Sequence, residues 1–176
     1  MVDAQTISII FAGVSIGIAA SYYAMNLREI RRSRRITLTT TVLEPFMTVE
    51  GNQLVMDLQT MTWNDLDDYK KKYDHRVNPD NYAKRASMWN RCHTIGSLYR
   101  EGLLDLKTLY VGSGGIITRI WFKFRPIIEM YRGTDYDEKA YEDWEYLAER
   151  LFEYTQSRGE VSRRVQELRE SPGTTT

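Results

Sequence analysis

The sequence predicts an all-α protein: one N-terminal transmembrane helix followed by a small cytoplasmic helical bundle. Three observations predict it. Ala4 to Leu27 is a run of 24 residues without a charge. Five arginines (Arg28, Arg31, Arg32, Arg34 and Arg35) follow it at once. Beyond them, apolar residues recur at helical spacing between capping signals, and no stretch alternates as a strand does.

The first segment is read as a span over residues 6–27. At a rise of about 1.5 Å per residue, about 20 residues cross the roughly 30 Å hydrocarbon slab of a bilayer. Ile7, Ile9, Ile10, Phe11, Val14, Ile16 and Ile18 contribute roughly −3 kcal/mol on the insertion scale, and Gly13, Gly17, the serines and Asn26 take part of that back. Tyr22 and Tyr23 fall where amphipathic rings meet headgroups. No Lys or Arg precedes the run and five follow it. The positive-inside rule therefore puts residues 1–5 outside and the rest in the cytoplasm, a single-pass plasma-membrane protein. A cleaved signal peptide needs a positive n-region, so an uncleaved signal anchor is the reading adopted. Gly13, Gly17 and Ser21 recur every four residues and line one face. Small residues at that spacing let helices approach closely, which implies self-association or another membrane protein as partner. The arginine cluster is a topology signal that also attracts anionic lipid headgroups, at about 1 kcal/mol per charge.

Composition narrows the function classes. Of the chain's 24 basic and 24 acidic residues, five and two precede Ile36, which leaves 19 and 22. The body is mildly acidic and offers no general footprint for nucleic acid. A single cysteine, Cys92, excludes an intramolecular disulfide and any zinc site resting on several thiolates.

Residues 28–44 read as a basic extension of the first helix that Pro45 stops, because the residue before a proline is pushed out of the helical region. Residues 45–158 read as the bundle. Gln53 to Met61 carries Leu54, Leu58 and Met61 on one side. Asn64 can cap a helix to about Tyr73, with Asp65, Asp67 and Asp68 first and Lys70, Lys71 and Lys72 last, as the helix dipole favours. Asn78 is a good N-cap, Pro79 suits the first helical position, and Gly102 supplies a left-handed end after Glu101. In that helix Met88, Cys92, Ile95 and Tyr99 form one apolar row, and Tyr82, Ala86 and Trp89 form another. Asp105 can cap a turn or two through Val111, and Gly112-Ser113-Gly114-Gly115 then interrupts. Ile116, Ile117, Ile120, Trp121 and Phe124 mark a further helix face. A last long helix, from about Asp137 to Ser157, buries Tyr141, Trp144, Leu147, Ala148 and Leu151. Residues 159–176 read as a short amphipathic piece (Val161, Val165, Leu168) and a disordered tail from Ser171 to Thr176. Trp63, Trp89, Trp121 and Trp144 each fall on or beside a different helix, which implies a shared aromatic core.

Trp89 to Leu147 contains Trp89-Asn90, then Ile95-Gly96-Ser97-Leu98-Tyr99-Arg100-Glu101-Gly102-Leu103-Leu104-Asp105. It continues to Trp121, Arg125-Pro126-Ile127-Ile128 and Tyr141-Glu142-Asp143-Trp144-Glu145-Tyr146-Leu147. This resembles a family of uncharacterised prokaryotic proteins, known as a domain of unknown function. Its members pair one N-terminal membrane helix with a small cytoplasmic helical domain. The resemblance spans about the last two thirds of the chain and brings no activity, so no catalytic residue is carried over.

Reactive constellations are not found in the sequence. Cys92 and His93 are adjacent, so on a helix they point about 100° apart and cannot pair as thiolate and base. His75 reads as a solvated loop residue. The acidic residues from Asp137 to Glu153 include no Glu-x-x-His pair of the kind that bundle metal sites use. Gly112 to Gly115 lacks the strand and the Lys-Ser/Thr of a phosphate loop. The reading is therefore a membrane-anchored, non-enzymatic interaction or accessory protein without cofactor or metal, or a minor subunit of a membrane complex. The alternative is a tethered helical domain with a small-ligand or enzymatic site using His93, Cys92 or Tyr99.

Overall fold

The computed structural model describes residues 3–170, and every regular element among them is helical. The chain divides into two compact units, Met1–Leu38 and Thr39–Thr176. The helices are α1 (Ala4–Met47), α2 (Val49–Thr60), α3 (Leu66–Tyr73), α4 (Pro79–Arg100), α5 (Leu106–Leu109), α6 (Gly115–Tyr131), α7 (Glu142–Ser157) and α8 (Arg163–Glu170). A single π-turn, Tyr110–Gly114, joins α5 to α6. The expected tail, Ser171 to Thr176, lies outside the described residues.

The first unit corrects the expectation of a transmembrane helix, and with it the single-pass signal anchor. Among the described residues no helix is long and apolar enough to cross a membrane. Phe11 to Leu27 carries Gly13, Ser15, Gly17, Ser21, Tyr22, Tyr23 and Asn26, which dilute its apolar residues. The side chains of Ile7, Ile9 and Ile10, which supplied much of the expected apolarity, lie outside the described set.

The second unit is built around α4, α6 and α7. Asn78 caps α4 through its side-chain oxygen, which accepts from the Asn81 N–H, and Pro79 occupies the first turn. At the other end Gly102 takes a left-handed φ of 73°. Gly96 lets α4 meet the start of α7 backbone to side, since a Cβ there would collide with Asp143 O and the Trp144 nitrogen. Arg100 adds an ion pair to Asp143 at 2.9 Å across the same contact. Trp121 of α6 stands edge-on to Trp144 of α7 at 5.1 Å, and the Trp144 indole donates to the Ile117 carbonyl at 3.3 Å. All four tryptophans are buried, so the expected aromatic core is present.

The remaining helices close the edges of this core. Lys123 of α6 is 4% exposed and donates to the carbonyls of Gln59 and Met61, at 2.5 and 2.6 Å, where α2 ends. A cation is the expected partner for the negative end of a helix. Its ammonium also lies 5.4 Å from the Trp63 ring, and burial pulls its pKa down to about 8. Helix α8 buries Val165 and Leu168, and Arg169 stacks 4.2 Å over Phe152.

Several element boundaries differ from expectation. Pro45 does not stop α1 at residue 44; it sits in the last turn, and the helix runs to Met47. A proline there still forfeits its own bond to the carbonyl four residues earlier, but only two residues of helix follow it. Gly112 to Gly115 does not separate two helices but forms the π-turn and leads straight into α6. The last helix begins at Glu142 rather than Asp137, because Tyr141 takes a left-handed φ of 63°.

Candidate functional site

Arg85, on the second turn of α4, is the most unusual side chain of the second unit. It is 2% exposed, and its guanidinium cannot shed its charge. Helix α3 folds over it and explains how it is held. Nε donates to Asn81 Oδ1 at 3.0 Å, one terminal nitrogen donates to the Tyr69 hydroxyl, and the other donates to the Tyr73 carbonyl at 2.6 Å. The rings of Tyr69, Trp89 and Tyr82 stand 5.1, 5.3 and 5.6 Å from the guanidinium carbon. These faces are favourable to a desolvated cation. Among the described residues no carboxylate forms an ion pair with it, although a buried charge ordinarily has one.

This guanidinium borders a cavity of about 280 Å³, walled also by Tyr82, Tyr131 and Tyr136, with His75 and Arg76 exposed at its rim. The cavity is framed by two loops. One is the α3–α4 turn, in which Asp74 accepts from the Arg76 N–H at 3.0 Å and from the Tyr131 hydroxyl at 3.2 Å. Those bonds hold the Asp74 carboxyl below the usual carboxylate range, with the Arg76 N–H as the larger cause. The other loop runs from Arg132 to Tyr141. Backbone bonds Gly133 N–H to Tyr136 O and Tyr136 N–H to Tyr131 O, both 2.9 Å, fold it tightly and set Tyr136 against Tyr131. Arg132 pins it to α7 by donating to the Ala140 carbonyl at 3.0 Å and to Glu145 at 2.8 Å.

Burial raises the hydroxyl pKa of Tyr69, Tyr136 and Tyr141, and raises that of Tyr131 to about 12, with the Asp74 carboxylate adding to it. At neutral pH all four are neutral groups able to donate or accept. The Arg132–Tyr141 loop also lines an adjoining hollow with His93, and the two cavities share Asp135 and Tyr136. The buried His93 Nδ1 has no hydrogen-bond partner, and its ring meets Tyr141 edge-on at 5.8 Å. The left-handed backbone of Tyr141, uncommon for a bulky residue, is held within this aromatic cluster.

The residues singled out in the sequence do not converge on this place. Gly13, Gly17 and Ser21 lie on α1, with no described atom within 4 Å of a Cβ added at either glycine, and Ser21 Oγ donates to the Gly17 carbonyl at 2.8 Å. Arg28, Arg31, Arg32, Arg34 and Arg35 are exposed on the same helix. Cys92 is buried in the core with its thiol pKa raised by burial, and Tyr99 stacks on Tyr146 at 5.9 Å. No group of three or more metal-ligating side chains occurs among the described residues. Arg85 escaped notice in the sequence. The available signal was the crowd of tyrosines on both sides of it, at positions 69, 73, 82, 131 and 136.

The model of a domain of unknown function, DUF4760, matches residues 4–151. The chain belongs to the DUF4760 family. No curated protein and no solved structure matches it. The DUF4760 match covers α2 to α6 and with them both frame loops of the Arg85 cavity.

Proposed function

We propose that this DUF4760 protein is a non-catalytic ligand-binding protein whose helical domain takes a small anion at Arg85. The observation that supports it is a guanidinium, almost wholly removed from water, that borders an open cavity and forms no ion pair among the described residues. Bringing a cation out of water costs several kcal/mol, and a bound anion would offset that cost where the neutral partners only soften it. The walls add neutral hydroxyls and aromatic faces and no nucleophile poised beside a base, so binding rather than turnover is the reading. Thermal unfolding of the full-length chain with a panel of small carboxylates and phosphates tests it. A saturable rise in Tm that disappears in Arg85→Lys is the expected result. If every anion leaves Tm unchanged up to 20 mM, the reading is wrong.

A second reading has its own observation. Phe11, Val14, Ile16, Ile18, Tyr22, Tyr23 and Met25 of α1 are all exposed, beside the open positions Gly13 and Gly17. A helix apolar on every side calls for an apolar neighbour. Self-association or capture of another protein along this stretch is the interaction role that such a surface supports. Cross-linking of the full-length chain with and without Gly13→Ile/Gly17→Ile tests it. Equal cross-linking in both proteins removes it.

A further inference from the structure

The Arg85 cavity restricts its ligand further, an inference that rests on the ligand-binding reading above. We propose that the ligand is a monocarboxylate carried on a single planar ring. Three features of the cavity specify it.

The first is charge. One buried cation is available, and the other cationic groups near it, His75 and Arg76, are at the exposed rim. Asp135 lines the same cavity from an equally exposed position. A dianion would leave its second charge without a buried cation to meet it. A monoanion matches the single guanidinium.

The second is the number of donors. A guanidinium has five N–H groups. Three are committed to Asn81, Tyr69 and Tyr73, which leaves two. The Tyr131 hydroxyl is committed to Asp74. Two remaining N–H groups match the two oxygens of a carboxylate.

The third is the wall. Tyr82, Tyr131 and Tyr136 present rings, and ring faces stack on flat bodies. A cavity of about 150 Å³ accommodates benzene. The 280 Å³ here therefore has room for one ring, its carboxylate and a small substituent.

Calorimetric titration of the full-length chain with four probes decides the matter: benzoate, phenyl phosphate at pH 7.5, cyclohexanecarboxylate and benzyl alcohol. Benzoate is expected to bind saturably, at least tenfold more tightly than phenyl phosphate and at least threefold more tightly than cyclohexanecarboxylate. Benzyl alcohol should give no saturable heat. Arg85→Lys should weaken benzoate at least tenfold. Asp135→Asn, which leaves the guanidinium and its anchors intact, should narrow the gap between phenyl phosphate and benzoate. Phenyl phosphate binding as tightly as benzoate, and lost in Arg85→Lys, overturns the monocarboxylate assignment while leaving anion binding at Arg85 standing. Cyclohexanecarboxylate equal to benzoate overturns the planar-ring part in the same way. If none of the three anions binds saturably at 20 mM to folded protein, both the assignment and the anion-binding reading fail.

Discussion

Replacing Gly96 by alanine puts the central helix contact to a quantitative test. An alanine Cβ would sit 2.9 Å from the Trp144 nitrogen and nearer still to the Asp143 carbonyl carbon and oxygen. Contacts below 3.4 Å are already tight, so α4 and α7 must part by about 0.5 Å to relieve the Trp144 contact alone. The colliding atoms are backbone and cannot swing aside. The shift is passed to Trp144, which is fully buried against Trp89 and Trp121. Overpacking of this kind costs about 1–3 kcal/mol, and backbone collision places it at the upper end. Alanine in a helix interior regains about 1 kcal/mol of propensity over glycine. The net is about 2 kcal/mol of destabilisation, or roughly 6–8 °C in Tm for a unit of this size. Circular dichroism at 222 nm through a thermal ramp reads it. Gly115→Ala is the control: nothing lies within 4 Å of its Cβ and its φ is −65°, so that protein should be as stable as the parent or up to about 1 kcal/mol more so. A Gly96→Ala protein that melts at or above the parent temperature refutes the close-contact argument.

The alkaline limb of stability follows from the tyrosines. Their unfolded pKa is near 10, and burial raises it in Tyr69, Tyr136, Tyr141 and, to about 12, in Tyr131. The folded state then holds more protons than the unfolded above pH 10, so stability present below that value is lost as pH rises through 12. Lys123 acts in the opposite sense: with its pKa depressed to about 8, the unfolded state holds more protons between 8 and about 10.4, and stability gains from it across that window. Urea midpoints should hold or rise slightly from pH 8 to 10 and then fall, and Lys123→Met should abolish the rise; a steady decline from pH 8 in the parent contradicts this. Cys92 is fully buried with a raised pKa, so a thiol-reactive disulfide reagent should modify it only at the rate of unfolding, and complete reaction of native protein within seconds would show that the thiol is reachable. Arg132→Ala removes the two bonds that pin the Arg132–Tyr141 loop; it should weaken benzoate binding several-fold with little change in Tm, and unaltered binding would mean that this loop does not shape the cavity.

Local chemistry made part of this fold legible. Asn78-Pro79 and Gly102 bracket α4 because caps act within a turn of where they stand, and Asp105 starts α5 for the same reason. The tryptophans declared a common core because large aromatic rings at helical spacing have nowhere else to go. What remained hidden depends on neighbours far along the chain. Gly51 precedes the expected start at Gln53 but lies inside α2, where a Cβ would strike the Pro45 carbonyl. Pro126 lies inside α6, in a helix held by burial on nearly every side. Nothing local sets Arg85 and Lys123 apart from surface charges, and only α3 and the end of α2, folding back over them, make them interior. The first segment misled in the other direction, because an uncharged run is not the same as an apolar one: Gly13, Ser15, Gly17, Ser21 and Asn26 dilute it.

The stretch that defines this family stops at Leu151, two thirds of the way along α7. The hydrophobic flank formed by Phe122 and Phe152 is nevertheless roofed by residues beyond that point, with Val165 and Leu168 tucked inward and Arg169 held by Glu149 at 3.1 Å. A fragment trimmed to the family match would therefore expose oily surface and tend to clump. The unit that keeps this flank covered runs through Leu168 and Arg169 of α8.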